Sequence, residues 1–294
     1  MLECVVNIAE GRRADVLGRL ARAGGESLLD VHHDPDHDRS VFTIAAHDPA
    51  TTVGAARRLA TDAAEHVTLA DYRGVHPLLG VVDVVPFVAL PPTTHAVATT
   101  EAVEFARWWS TEAQVPTFLY DDADVPARRS LPVTRRDAFR LRAPDCGPAV
   151  AHPLLGASAV GAREVLVAVN VELGNDDVTL ARTVARRVRE RDGGLRGVRA
   201  LGLELSTRGH AQVSMNLTAL RETGVERAVG TVRDAIEAGG GTVACVELVG
   251  LLPAAELERC SDAFVAWSGL SERQTIEGRA ADAGGARRAS DEPA

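Results

Sequence analysis

Apolar positions along this chain alternate between a period of two and a period near 3.6, in an order that occurs twice and so predicts two similar structural units. In the first half, residues 2–9 read as a strand. Residues 13–23 read as a helix with Val16, Leu17, Leu20 and Ala21 on one side. Strands at 27–32 and 40–46 follow, joined by the turn-forming Asp34-Pro35-Asp36-His37-Asp38. Pro49 after Asp48 opens a second helix, with Val53, Ala56, Leu59 or Ala60, Ala63 and Val67 at helical spacing. Residues 82–90 close the set as a strand, giving the order β-α-β-β-α-β.

A further helix over 94–113 and a short strand over 117–120 come next. Residues 121–158 are rich in proline, aspartate and arginine and weakly periodic, and a connection of that length in a compact protein is usually functional. The second half repeats the first: a strand at 164–172, a helix at 176–190 and strands at 198–205 and 210–217. A helix introduced by the capping-box pattern Thr223-x-x-Glu226 and a strand at 242–248 complete it.

The fold class expected is therefore α+β: two ferredoxin-like βαββαβ subdomains packed with a cleft between their sheets. The subdomains are 1–163 and 164–276, and the aperiodic run 277–294 reads as a disordered tail. Strand alternation chooses the cleft residues. In the strand at 210–217, Gln212, Ser214 and Asn216 face away from Ala211, Val213, Met215 and Leu217. Asn7 in Asn-Ile-Ala-Glu-Gly has a counterpart in Asn170 of Asn-Val-Glu-Leu-Gly.

Composition narrows the chemistry. With 41 acidic against 32 basic residues the net charge is −9, which argues against nucleic acid or an anionic membrane as partner. Every basic residue is arginine, so a lysine Schiff base, hence pyridoxal phosphate, and a Walker-type phosphate loop are excluded. Cys4, Cys146, Cys245 and Cys260 are far apart and form no C-x-x-C pair, which suits a reducing compartment. No signal peptide and no membrane span are legible, so a cytoplasmic protein is expected.

The candidate for chemistry is His76, in Tyr-Arg-Gly-Val-His-Pro-Leu-Leu-Gly-Val-Val-Asp. Pro77 restricts its backbone, Gly74 and Gly80 permit tight turns beside it, and Asp83 is the one carboxylate of the strand that follows. A fixed imidazole is suited to moving a proton. His32-His33-Asp34-x-x-His37-Asp38 resembles a metal-ligand set in composition, but adjacent strand residues point to opposite faces, so no metal is expected there. Gly156-x-x-x-x-Gly161-Ala162-Arg163 leads into a strand, not a helix, which excludes a dinucleotide cradle and suggests a loop passing close to a flat ligand.

Several motifs together resemble the glutamate formiminotransferases, which stand alone in bacteria and are fused to a cyclodeaminase in animals. Residues 3–11, Glu-Cys-Val-Val-Asn-Ile-Ala-Glu-Gly, resemble that family's E-C-V-P-N-x-S-E-G, and Asp38-Arg39-Ser40-Val41-Phe42-Thr43 its N-R-[ST]-V-[FY]-T. Residues 74–84 resemble G-E-H-P-R-M-G-A-x-D-V, and residues 156–163, 212–217 and 247–253 complete the set. The resemblance implies transfer of a formimino group from N-formimino-L-glutamate to N5 of tetrahydrofolate, a co-substrate, in a protein expected to be a homodimer acting on small molecules. It places the catalytic base on His76. It places the folate loop on Gly147, Pro148, Ala149, Val150, Ala151, His152, Pro153, Leu154, Leu155 and Gly156.

In that chemistry His76 takes the proton of N5 and delivers it to the departing glutamate nitrogen, with His32 or Asp38 orienting the ring. Arg39 and Arg163 are candidates for substrate carboxylates, with Asn7, Asp83, Asn170, Gln212 and Asn216 as further substrate contacts. Three departures stand against the family pattern: Val75 for its glutamate, Leu78 for its arginine and Asp38 for its asparagine. They keep two alternatives open, a folate-binding paralogue without turnover and a metal-dependent hydrolase built on the His32 to Asp38 run.

Overall fold

Alternation makes β1 (Leu2–Ile8) the centre of the first sheet: Leu2, Cys4, Val6 and Ile8 are buried in one apolar cluster, while Glu3, Val5 and Asn7 take the other face. This computed structural model describes residues 1–290 in backbone and 1–283 in side chain. The chain divides into two units, Met1–Glu164 and Val165–Ala294.

In the first unit, α1 (Ala14–Gly24) leads to the hairpin β2 (Leu28–Asp34) and β3 (Arg39–Ala46), then α2 (Pro49–His66) and β4 (Val82–Ala89). Val16, Leu17 and Leu20 of α1 and Val53, Ala56, Leu59 and Ala63 of α2 join Phe42, Ile44, Val85 and Phe87 in the core. Burial of each large apolar side chain there stabilises the fold by roughly 1.5–3 kcal/mol. Asp48 caps α2, its carboxylate accepting from the Ala50 N–H at 3.2 Å.

The remaining elements of the unit are α3 (His95–Glu112), β5 (Thr117–Asp121), α4 (Leu131–Asp137) and β6 (Ser158–Ala162). The sheet order is β2-β3-β1-β4-β6-β5, a four-strand ferredoxin-like order extended by two parallel strands. The α4 helix corrects the expectation of an irregular run from 121 to 158, and β6, at the end of that run, is a strand that patterning did not predict. Ser-Ala-Val-Gly-Ala in β6 lies between two parallel neighbours and is buried throughout, so it shows no alternation to read. The flat group that Gly161 admits is internal: a Cβ there would meet the Tyr120 ring at 2.6 Å.

The second unit runs β7 (Val167–Leu173), α5 (Val178–Val188), β8 (Val198–Leu205), β9 (His210–Leu217), α6 (Val225–Ala238) and β10 (Val243–Val249). Its sheet order, β10-β7-β9-β8, repeats that of β4-β1-β3-β2. The capping box expected at Thr223 does not form. Gly224 is the N-cap, Glu256 accepts from the Val225 N–H at 2.7 Å, and Glu226 instead binds Ser261.

Helices α7 (Ala254–Leu257), α8 (Asp262–Ser268) and α9 (Ile276–Ser290) follow. The run from 277 expected to be a disordered tail is thus helical to Ser290, in keeping with its alanine and arginine content, and residues 291–294 lie outside the described residues.

Candidate active site

The segment from Tyr72 to Gly80 is shaped by close backbone approaches. A Cβ on Gly74 would lie 2.1 Å from the His37 carbonyl oxygen, and one on Gly80 would lie 2.3 Å from the carbonyl oxygens of Leu155 and Ala157. Only glycine fits either place. Val75 N–H donates to the Asp36 carbonyl at 3.1 Å, and the Tyr72 hydroxyl donates to the His76 carbonyl while lying 3.2 Å from that of His37. Burial above all, with Asp38 and Asp83 nearby, pushes the Tyr72 phenol up to about 12, so it remains a donor.

Asp83, fully buried at the start of β4, organises the charge. Its Oδ1 accepts from the Leu79 N–H at 2.7 Å, which fixes the end of the histidine loop. Its Oδ2 receives Arg39 Nη1 at 2.6 Å and also Arg135 Nη2. Arg39 gives Nε and Nη2 to the Asn7 Oδ1 at 3.2 and 2.8 Å, and Asn7 Nδ2 donates to the Val5 carbonyl at 2.8 Å. Two guanidiniums on one carboxylate leave a formal charge of +1 in the cluster. Burial alone would raise the Asp83 carboxyl, but Arg135 and Arg39 outweigh it and hold it below its ordinary value.

His76 sits beside this cation. The residue is partly exposed, yet its Nδ1 is buried and has no hydrogen-bond partner. Burial, then Arg39 and Arg135, hold its pKa well below the ordinary value, with Asp83 opposing. The imidazole is therefore neutral near pH 7, the form that can accept a proton.

Arg135 is the residue that the sequence reading missed. It reaches Asp83 from α4, a helix fixed by Arg142, which donates Nη1 to Thr134 Oγ1 at 3.2 Å and Nη2 to Asp124 and Asp145 at 3.1 and 2.7 Å. Arg135 Nε is buried without a partner. Three Arg39 nitrogens are engaged within the protein, so Arg135 is the guanidinium with a donor to offer.

Other expected site residues lie elsewhere. Arg163 follows β6, where its N–H donates to the Phe87 carbonyl, and its guanidinium bonds Tyr120 and the Glu164 carbonyl. It is His37 that packs on the His76 ring, with centroids 6.0 Å apart and planes at 28°. Asp38 instead accepts from Gly11 N, Arg12 Nε and Arg73 N at 3.2, 3.1 and 2.8 Å. Both its oxygens act as acceptors there, a role the amide nitrogen of an asparagine could not fill. Asp34 accepts from the N–H groups of Asp36 and His37, so the carboxylates of the His32 to Asp38 run shape a turn.

The segment 147–156 joins the histidine loop at its far end. His152 and Gly156 exchange backbone hydrogen bonds at 2.8 Å, and Val81 N–H and Ala157 N–H pair with the carbonyls of Leu155 and Leu79. A substituent on Gly156 would collide with the Leu79 carbonyl at 2.4 Å. Val150 and Leu154 are exposed at 72% and 57%. At its near end Gly147 and Pro148 line a cavity of about 380 Å³ with Arg107, Ser110 and Cys146.

In the second unit, Asn170 Nδ2 and Gln212 Nε2 donate to Glu247 Oε2 at 2.9 and 3.3 Å, and Arg208 bridges Glu172 and Glu247. Gln212 is fully buried with Oε1 unpartnered, while Asn216 is exposed and outside the cluster.

Residues 1–163 match the family model for the formiminotransferase domain, N-terminal subdomain, and residues 168–278 that for the formiminotransferase domain. Similar proteins include the glutamate formimidoyltransferase of Streptococcus pyogenes serotype M1, 34% identical over 271 residues, covering 87% of this chain and 90% of that protein. The glutamate formimidoyltransferase of Thermoplasma acidophilum is 34% identical over 295 residues, covering 94% and 96%. The formimidoyltransferase-cyclodeaminase of Sus scrofa is 32% identical over 273 residues, 86% of this chain and 50% of that protein.

Proposed function

This chain belongs to the formiminotransferase family, and on that premise we propose that it transfers the formimino group of N-formimino-L-glutamate to N5 of tetrahydrofolate. The single observation that carries the reading is His76 Nδ1: a buried ring nitrogen without a partner, kept unprotonated by its burial and then by Arg39 and Arg135. N5 attacks the formimino carbon, His76 accepts the N5 proton, and the tetrahedral intermediate expels glutamate. General base action of this kind contributes roughly 10²–10⁴-fold.

Arg135 offers its Nε to a substrate carboxylate, and Arg39 with Asn7 holds Asp83 in place for it. The apolar side chains of Val150 and Leu154 suit the flat faces of the folate, and the backbone bridges at 79–81 tie that loop to the base. Arg135 also bears on the paralogue alternative. Leu78 removes a guanidinium from the histidine loop, yet α4 supplies one to the carboxylate of Asp83 beside that loop, which favours turnover.

No helix among the described residues is long and apolar enough to cross a membrane. A net charge of −9 suits small molecules rather than nucleic acid as partners, and the family reading carries with it the expectation of a cytoplasmic homodimer.

The test is turnover of formiminoglutamate and tetrahydrofolate, read as the methenyl folate formed on acidification. Wild type should turn over and His76→Ala should lose at least about 100-fold. Wild-type silence would sink the reading, and a His76→Ala enzyme within tenfold of wild type would remove the base from it.

A further inference from the structure

His37 enters the sequence reading only as one member of a histidine and aspartate run, yet the structure sets it apart from that run. Asp34 Oδ1 pins the N–H groups of Asp36 and His37 at 2.8 Å each, and Asp38 turns the chain back at φ 46°. The turn so formed is stitched to the histidine loop by Val75 N–H on the Asp36 carbonyl, by the Tyr72 hydroxyl between the His37 and His76 carbonyls, and by the absence of a side chain at Gly74. The product is a pair of imidazoles with ring planes at 28°. His37 is 8% exposed, and its Nε2, like His76 Nδ1, is buried without a partner. Leaving two buried polar atoms unpaired on adjacent rings is unfavourable unless a ligand completes them.

The reaction needs a proton at two different atoms. One leaves N5 and one must reach the glutamate nitrogen. His76 suits the first task because its burial, and then Arg39 and Arg135, disfavour its charged form, and the same surroundings make it a poor store for the proton it accepts.

We propose that His37 is a second catalytic residue, whose Nε2–H protonates the departing glutamate nitrogen while His76 Nδ1 accepts the proton from N5. The proposal rests on the formimino transfer reading. The N5 lone pair forms the N5–C bond and the C=N π pair of the donor's amidinium moves onto its terminal nitrogen, which becomes an NH2 group; N5 then loses its proton to His76. Next, the amino nitrogen's lone pair restores C=N as the C–N bond to glutamate breaks. The bond pair stays on the glutamate nitrogen, which keeps the proton from His37. His76 has gained one proton and His37 has given one up, and exchange of one proton each with water resets them.

A general acid matters in proportion to the basicity of the leaving nitrogen. The test compares kcat/KM of wild type, His37→Asn and His37→Gln with N-formimino-L-glutamate and with N-formimino-4-aminobenzoate, whose aniline nitrogen departs with little need of a proton. Both variants should lose about 100-fold with the glutamate donor and less than about tenfold with the aminobenzoate donor. The use of two variants guards against misfolding of one, and circular dichroism checks both. Equal losses with the two donors would overturn the role of His37 and leave the transferase reading standing. No wild-type turnover with either donor would overturn both.

Discussion

The two units share one four-strand order, and within it one connection sets them apart. Between α6 and β10 the second unit uses only residues 239–242, with Gly240 at φ 82°, whereas between α2 and β4 the first unit inserts residues 67–81 and with them Tyr72 and His76. The polar faces differ in sign as well. Asn7 accepts from Arg39 through Oδ1, and its counterpart Asn170 donates to Glu247 through Nδ2. One scaffold thus supports a cationic cluster around Asp83 and an anionic one around Arg208, and the unit with the longer connection holds the candidate base.

The sharpest way to break the comparison is to remove the central carboxylates. Asp83→Ala leaves Arg39 without its charge partner in a buried place, which should lower stability by roughly 3–5 kcal/mol. Glu247→Ala, at a part-exposed carboxylate, should lose only about 1–2 kcal/mol. Urea unfolding of both variants reads the difference, and equal losses would mean that the first cluster is no more built than the second.

Arg135→Gln tests the cation rather than the anion. Asp83 keeps Arg39 and the Leu79 N–H, so folding should persist, while kcat/KM should fall about 30-fold, some 2 kcal/mol. The His76 pKa, depressed by burial and by Arg39 and Arg135, should rise, moving the acid limb of the rate profile to higher pH. The same depression makes stability pH-dependent. Below about 6.5 the unfolded chain binds a proton that the folded one resists, so stability is full above that pH and falls beneath it. His76→Asn should remove that slope.

Exchanging the amides for acids probes the inversion itself. Asn170→Asp sets a carboxylate against Glu247 and deletes the donor, an expected loss of about 1–2 kcal/mol. Asn7→Asp keeps the acceptor toward Arg39 and gives up only the bond to the Val5 carbonyl, so its change should stay within about 1 kcal/mol. Reversal of that order in thermal unfolding would show that the amides are not oriented as described.

Sequence patterning reached the repeated scaffold because alternation and helical spacing are local. The strands expected at 198–205 and 210–217 are β8 and β9 to the residue. It stopped where the determinants are long-range. Arg135 meets Asp83 across 52 positions, from a helix whose proline and arginines carry no period, and nothing local distinguishes it from Arg163. Arg39 and Asp83 were candidates on motif grounds, but that Arg39 is engaged by Asn7 emerges only when β1, β3 and β4 pair. His37 was hidden in the opposite way, by a run rich in ligands whose carboxylates are used in making a turn.

The smallest effect bears most directly on the long connection. Tyr72→Phe deletes one hydroxyl that serves two carbonyls, in a half-exposed place where water can substitute, so stability should fall by only about 1 kcal/mol. Both imidazoles hang from those carbonyls, and a small displacement of two proton-transfer groups should lower kcat by roughly 5–10-fold with little change in KM. If kcat falls no further than stability implies, the segment 67–81 is a passive loop, and the difference between the two units is one of length alone.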